Sequence, residues 1–389
     1  MRIVAIIGAL LIWHVSLIGQ ENSISIDRLE YYRLGQRFFD ASLYGPSGFA
    51  HQTFIHQVHP PTEDDFMNLV DDATGMKAIG GLRLDLLSGE NDLLTFISRK
   101  YPDPVTTPAI LELGSYYYNK KWFKKSTEMY ARTDLSNLPQ YDMSEARFKK
   151  GYSHFVIKEF AEGKYELTQT KDIRNDFYFP ANYYYGVCEY FLGNYTAAVA
   201  SFEKVKSNAA YKSFVPYYIT QIYFAQDLTD KVISYGEDAL SDPDLRNRKE
   251  IRQLIGQSYF KQKEFTKALP HLEYYEANTE KLTIEEFYQL GFTQYQLKRY
   301  DPAIKNFKEL NLLDDKLGQL VNYYLADCHY KTGDLVSARA AFKKVSQMTY
   351  EPKMQQEAAF NYGKLSAEAG FEREAINTLI KIEKTSPYF

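Results

Sequence analysis

The 389-residue sequence predicts an all-α fold, an α-solenoid of stacked helical hairpins, and three features carry that expectation. First, a mostly small position recurs at Gly114, Gly151, Gly186, Thr220, Gly256, Gly291, Ala326 and Gly363, at spacings of 34 to 37 residues. Second, twelve residues after each lies another mostly small position (Ser126, Gly163, Ala198, Val232, Ala268, Ala303, Ala338, Ala375), followed four residues on by a mostly large one such as Phe202, Phe307 or Leu379. Third, "LGNY" (192–195), "KTGD" (331–334) and "EAGF" (368–371) place turn residues between the two positions. A period of this length marks a unit that cannot bury its apolar face alone and stacks on copies of itself.

The pattern has a direct physical reading. Glycine inside a helix costs about 1 kcal/mol relative to alanine. Two facing small residues let the helices of a hairpin approach closely, and the large residue one turn later fills the gap beside them. Packing thereby offsets the propensity cost at positions such as Gly186.

Taken in order, residues 1–23 come first. Arg2 precedes an apolar run from Ile3 to Ile18, interrupted by His14, and small and polar residues follow. This has the form of a secretory signal peptide, spanning 1–20 with cleavage near Gly19. The run falls short of the roughly 20 residues that cross a bilayer, and no cysteine near that point offers a lipid anchor. A mature chain without a membrane span, periplasmic or secreted, is the expectation.

Residues 24–105 read as two degenerate or shortened hairpins, "YYRLGQRFFDASLYGPSGFAHQTF" (31–54) and "AIGGLRLDLLSGENDLLTFISRKYP" (78–102). His51, His56 and His59 raise the question of a metal. Their spacings of five and three do not share one helical face, and no cysteine completes a tetrahedral set. The stretch therefore reads as a polar inter-repeat loop ending at Pro60. Glu63, Asp64 and Asp65 before Phe66 read as acids opening a helix and complementing its dipole.

Residues 106–389 form the eight-unit array. Thr283 to Glu286, "TIEE", has capping-box spacing, and Asp301 is expected to cap a helix whose first residue is Pro302. One unit departs from the pattern. Thr220 and Val232 are bulkier than the pair requires and Gly236 replaces the large residue, which predicts wider pairing or local distortion. The closing "KTSPYF" follows a unit without a polar capping helix, so a partner or further chain is expected to cover that end.

Several function classes are disfavoured. Lys+Arg 46 against Asp+Glu 50 gives a net charge of −4, and no RNA-binding signature is present, so nucleic acid is not an expected partner. Cys188 and Cys328 sit four units apart, and with each unit adding about 10 Å they lie beyond the roughly 7 Å between Cα atoms that a disulfide tolerates. Buried free thiols are expected. No nucleophile elbow, phosphate loop, zinc-protease motif or dinucleotide fingerprint occurs, so neither catalysis nor a cofactor nor a metal is expected.

The unit "EEFYQLGFTQYQLKRYDPAIKNFKEL" (285–310), with Pro387 where a unit ends, resembles the tetratricopeptide repeat family. The resemblance implies a right-handed superhelix whose first helices line a concave surface. More narrowly, the signal segment with tyrosine-rich units is similar to the amino-terminal part of long exported repeat proteins common in Bacteroidetes.

Aromatic residues make up 16% of the chain, with 34 tyrosines. Within first helices they recur seven residues apart, nearly two turns, and so share a face: Phe148 and Phe155, Tyr183 and Tyr190, Tyr217 and Phe224, Tyr288 and Tyr295, Tyr323 and Tyr330. The resemblance places these ten in the concave groove. The expected function is an exported scaffold or adaptor binding a peptide or protein of the cell envelope there. A glycan-binding component of an outer-membrane uptake system is the alternative. The lysine- and asparagine-based clamp with which some family members hold chaperone tails is absent, aromatics standing in its place.

Overall fold

The computed structural model describes residues 29–58 and 64–382. The signal-like segment 1–23, His59, Pro60, Glu63, Pro387 and the closing "KTSPYF" lie outside the described residues. The described residues form consecutive helical hairpins without a strand, in two compact units that divide between Thr170 and Lys171.

The first unit contains α1 (Glu30–Asp40), α2 (Tyr44–Gln57), α3 (Asp64–Arg83), α4 (Gly89–Lys100), α5 (Thr107–Asn119), α6 (Phe123–Tyr130), α7 (Gln140–Val156) and α8 (Phe160–Thr168). The second contains α9 (Tyr178–Phe191), α10 (Tyr195–Val205), α11 (Val215–Ala225), α12 (Thr229–Leu240), α13 (Arg248–Lys261), α14 (Phe265–Ala277), α15 (Ile284–Gln296), α16 (Tyr300–Lys308), α17 (Lys316–Lys331), α18 (Leu335–Gln347), α19 (Pro352–Glu368) and α20 (Glu372–Leu379). Helices pair in sequence order, and within each unit first helices also touch the first helix of the next hairpin.

The small-residue ladder is the contact that sets the hairpin. At Gly186 an added Cβ would stand 2.8 Å from the Phe202 ring, and at Gly291 it would stand 3.0 Å from Phe307. Ser126, the paired small residue of its hairpin, donates its hydroxyl to the Gly114 carbonyl at 2.9 Å, which satisfies a buried side chain at the closest approach. Apolar clusters then run between hairpins, as where Ala303, Phe307 and Leu310 pack with Val321, Leu325 and Cys328.

Each hairpin turn uses a left-handed residue seven positions after the small one. It is Gly193, Gly333 and Gly370 in the three turns with recognisable glycines, at φ of 77°, 82° and 79°. Elsewhere Ser42, Asp85, Lys121, Lys158, Asp227, Lys263 and Lys298 take the same conformation, at φ between 55° and 66°. Lysine and aspartate accept there a backbone region that side chains ordinarily disfavour.

The first hairpin corrects the loop expected around the histidines. His51 and His56 lie within α2, and Gly35, Ser47 and His51 repeat the twelve- and sixteen-residue offsets of the array. His51 therefore occupies the large position and is fully buried, its ring 2.6 Å from where a Cβ on Gly35 would stand. Ser47 donates its hydroxyl to the Gly35 carbonyl at 2.9 Å and meets His51 Nδ1 at 3.3 Å. His51 Nε2 is left without a hydrogen-bond partner.

Two other expectations resolve differently. The capping box at Thr283 forms, the Thr283 amide donating to Glu286 at 2.7 Å. The helix at Asp301 starts instead at Tyr300 behind Arg299, so Asp301 is a first-turn acid rather than the cap. In the divergent unit, Thr220 and Val232 are fully buried, and the space left by Gly236 is filled by Ile255 and Ile251 of α13. Ile255 Cδ1 lies 2.9 Å from where a Cβ on that glycine would stand.

Two outcomes follow from this packing. Gly291→Leu forces a branched side chain against Phe307 and lowers stability by about 1–3 kcal/mol, read as the midpoint of urea unfolding; an unmoved midpoint contradicts the ladder. Burial lowers the His51 pKa, opposed only by the Asp72 charge. The unfolded chain thus binds the proton more readily, and the hairpin's stability, full above the ordinary histidine pKa of about 6.5, is lost as pH falls below it. Hydrogen-exchange protection across α1 and α2 should drop on acidification, and His51→Leu should flatten that dependence.

Candidate partner-binding face

The aromatic rows use three positions of the first helices, at three residues before, one after and four after the small residue, and all three are aromatic in the helices of Gly151 and Gly291. Successive turns bring them to one face. In the first unit, Phe148 and Phe155 of α7 are bridged by Tyr152, with ring centroids 6.1 Å from each. Tyr118 of α5 meets Tyr152 edge-on at 5.6 Å, a favoured aromatic geometry. Phe148 is only 8% exposed and belongs to the packed interior, whereas Phe155 is half-buried.

In the second unit, Tyr183 is likewise interior, 9% exposed and stacked on Tyr211 at 4.6 Å. Tyr190, Tyr217, Phe224, Tyr288, Tyr295 and Tyr323 are half-buried, while Tyr330 is 40% exposed. Their rings pack against residues that the seven-residue spacing passes over. Phe292 stacks with Tyr288 at 5.7 Å, and Tyr324 lies 4.8 Å from Tyr295. A search at four-residue spacing finds Tyr152 and Phe292, since each follows a predicted ring by one turn.

The phenols show what the rows do structurally. Tyr295 donates its hydroxyl to Asp327 of the next first helix at 2.8 Å. Tyr323 donates to Glu357 one hairpin further on at 2.5 Å, and Tyr190 donates to Gln221 at 3.2 Å. Gln221 in turn donates to the Tyr217 oxygen at 2.8 Å, so one amide joins two rings. Tyr190, Tyr295 and Tyr323, each half-buried, thus fasten their hairpins to the next through their hydroxyls. Burial and then the Asp327 hydrogen bond raise the Tyr295 pKa, and burial pushes Tyr288 up to about 12, so these phenols stay neutral donors at physiological pH.

Beside Tyr323 a cavity of about 360 Å³ opens between α17 and α19. Leu320 and Met354 give it apolar walls, and Lys316, Lys353, Glu351 and Glu357 surround them. Its chemistry suits an apolar side chain flanked by polar groups. Cys188 and Cys328 are buried free thiols, pushed up to about 12 chiefly by burial, which keeps them protonated and inert. Among the described residues, no group of three His, Cys, Asp or Glu side chains is placed to hold a metal, and no helix is long and apolar enough to cross a membrane.

Comparison with known proteins agrees with the repeat. Residues 181–210 match the family model described as tetratricopeptide repeat. No curated protein matches the chain. Similar solved structures include one described as MamA MSR-1 C2, at 23% identity over 44% of this chain and 97% of that one, with a TM-score of 0.35. A tetratricopeptide repeat protein from Parabacteroides merdae shows 13% identity over 69% of this chain and 98% of its own, with a TM-score of 0.36. The C-terminal part of a TPR repeat-containing protein from Cytophaga hutchinsonii shows 12% identity, 69% and 99% coverage and a TM-score of 0.41.

The phenol bridge separates two roles of one side chain. Tyr295→Phe keeps the ring and removes the donor to Asp327, a loss of about 1.5–3 kcal/mol for a hydrogen bond to a charged group. Thermal unfolding should shift accordingly, and Asp327→Asn in the same background should add little, because the partner is already gone.

Proposed function

We propose that this chain, whose residues 181–210 match the tetratricopeptide repeat model, is an exported scaffold whose first-helix face captures an extended peptide or a helix of a cell-envelope protein. The observation that carries this reading is that Tyr288 and Tyr323, both half-buried, and Tyr330, 40% exposed, stand on a helical backbone. Rings locked by neighbours lose little freedom on binding, so contact area converts to affinity with a smaller ordering cost. The cavity beside Tyr323 supplies a seat for one apolar anchor, the feature that typically dominates an interface. Export rests on the signal-like segment of residues 1–23.

Sugar rings also stack on aromatic faces, and glycan capture remains the competing reading. Tyr190, Tyr295 and Tyr323 direct their hydroxyls to neighbouring helices instead of outward. Three hydroxyls of the rows are thereby withdrawn from hydrogen bonding with a sugar, which favours a peptide.

In-cell crosslinking followed by mass spectrometry identifies what the face holds. Tyr288→Ala combined with Tyr330→Ala is expected to reduce recovery of the crosslinked partner severalfold while the far-ultraviolet spectrum stays helical. These positions are chosen over Tyr295 and Tyr323, whose hydroxyls fasten the stack. Undiminished recovery, or retention of the purified protein by envelope glycans instead, overturns the proposal.

A further inference from the structure

The turns joining first to second helices in the first unit form an edge unlike the aromatic face. Residues 120–125 read Lys-Lys-Trp-Phe-Lys-Lys, four lysines around two rings with no acid among them. Trp122 is 44% exposed, and Lys120, Lys121, Lys124 and Lys125 are exposed with it. The preceding turn carries Leu84, Leu86 and Leu87, all exposed and Leu87 fully so, and the turn before that carries exposed Leu43.

These turns are neighbours in space. Lys125 lies 4.7 Å above the Trp122 ring and reaches Glu90, three residues past Leu87, at 3.6 Å. Tyr117 donates to the same Glu90 at 2.8 Å. Arg83, at the mouth of the leucine turn, donates to the Tyr44 hydroxyl at 2.9 Å, beside Leu43. Three successive tips are thereby tied into one row. Glu90 is neutralised by its lysine, which leaves Asp85 as the acid of the leucine turn set against the remaining lysines.

We propose that this row, Leu43, Leu84–Leu87 and Trp122 with lysines 120, 121 and 124, is a docking edge for a phospholipid bilayer bearing anionic headgroups. Tryptophan settles at headgroup depth because its ring is apolar and its N–H is polar. Leucines at loop tips supply the part that enters the acyl boundary. Lysines flanking them sit where the surface potential of anionic lipid is felt, and their alkyl stems cover apolar surface while the ammonium groups stay in water. The inference does not depend on the aromatic face. It adds a surface for the scaffold to rest on.

The chain holds two tryptophans, so Trp13→Phe in the full chain leaves Trp122 as the reporter. Vesicles of phosphatidylcholine with and without phosphatidylglycerol, carrying brominated acyl chains, are titrated against its fluorescence. The expected result is a blue shift and quenching of Trp122 with the anionic vesicles only, reversed by salt. Affinity should weaken about fivefold for each lysine neutralised, and the response should vanish in Lys120→Glu/Lys121→Glu/Lys124→Glu, with Leu87→Ser weakening it at unchanged helicity. Emission indifferent to anionic vesicles, equal quenching by phosphatidylcholine alone, or a response that survives the triple reversal overturns the proposal. A Trp122 shift with polyglutamate but not with vesicles assigns the edge to an acidic polypeptide and overturns it equally.

Discussion

The close approach of two helices within a hairpin, given in most of them by a side chain that is nearly absent, is the constraint on which this architecture depends. A methyl group at Gly151 or Gly363 would stand 2.8 or 2.7 Å from the leucine that fills the gap, well inside contact distance. Interiors packed to this density do not absorb such an insertion without moving neighbours. The spacing between helices thus fixes where the next hairpin can lie, and with it the reach from one first helix to the following one. Tyr295 meets Asp327, and Tyr323 meets Glu357, because that reach matches the length of a tyrosine.

This coupling bears on recognition. A surface assembled from independent side chains would lose rotamer entropy at every contact it makes. Here much of that ordering is already completed in the free protein, by ring packing such as Phe292 against Tyr288 and Tyr324 and by phenols donating across hairpins. A phenol bridge of this kind explains why the face is rich in tyrosine rather than phenylalanine alone: the ring packs on its neighbours and the hydroxyl reaches the next hairpin.

Much of the fold was legible because sterics allow few substitutes at the small positions, and Gly114 through Gly363 announce themselves by period. Legibility failed where several residue types satisfy one requirement. Lys121, Lys158, Lys263 and Lys298 adopt the left-handed turn that Gly193 and Gly333 signal openly, and nothing in a lysine marks that role. His51 was hidden because an imidazole filling a gap looks, in sequence, like a polar loop residue beside other histidines. The aromatic face was readable as a set of rings at helical spacing. Which rings are interior, as Phe148 and Tyr183 are, depends on how neighbouring helices lean, and spacing along one helix carries no information about that. The phenol acceptors were equally invisible, since they lie more than thirty residues downstream.

The hairpin of α11 and α12 borrows its missing plug, Ile255, from the helix that follows it. Translation runs from the amino end, and domains and repeats acquire structure as they emerge. The space beside Gly236 is filled only when α13 packs against this hairpin. Its neighbours carry their own plugs and can consolidate on emergence. The hairpin of α11 and α12 is therefore joined to α13 by side chains that it lacks itself, and cutting the chain between them would leave an apolar hollow on its surface.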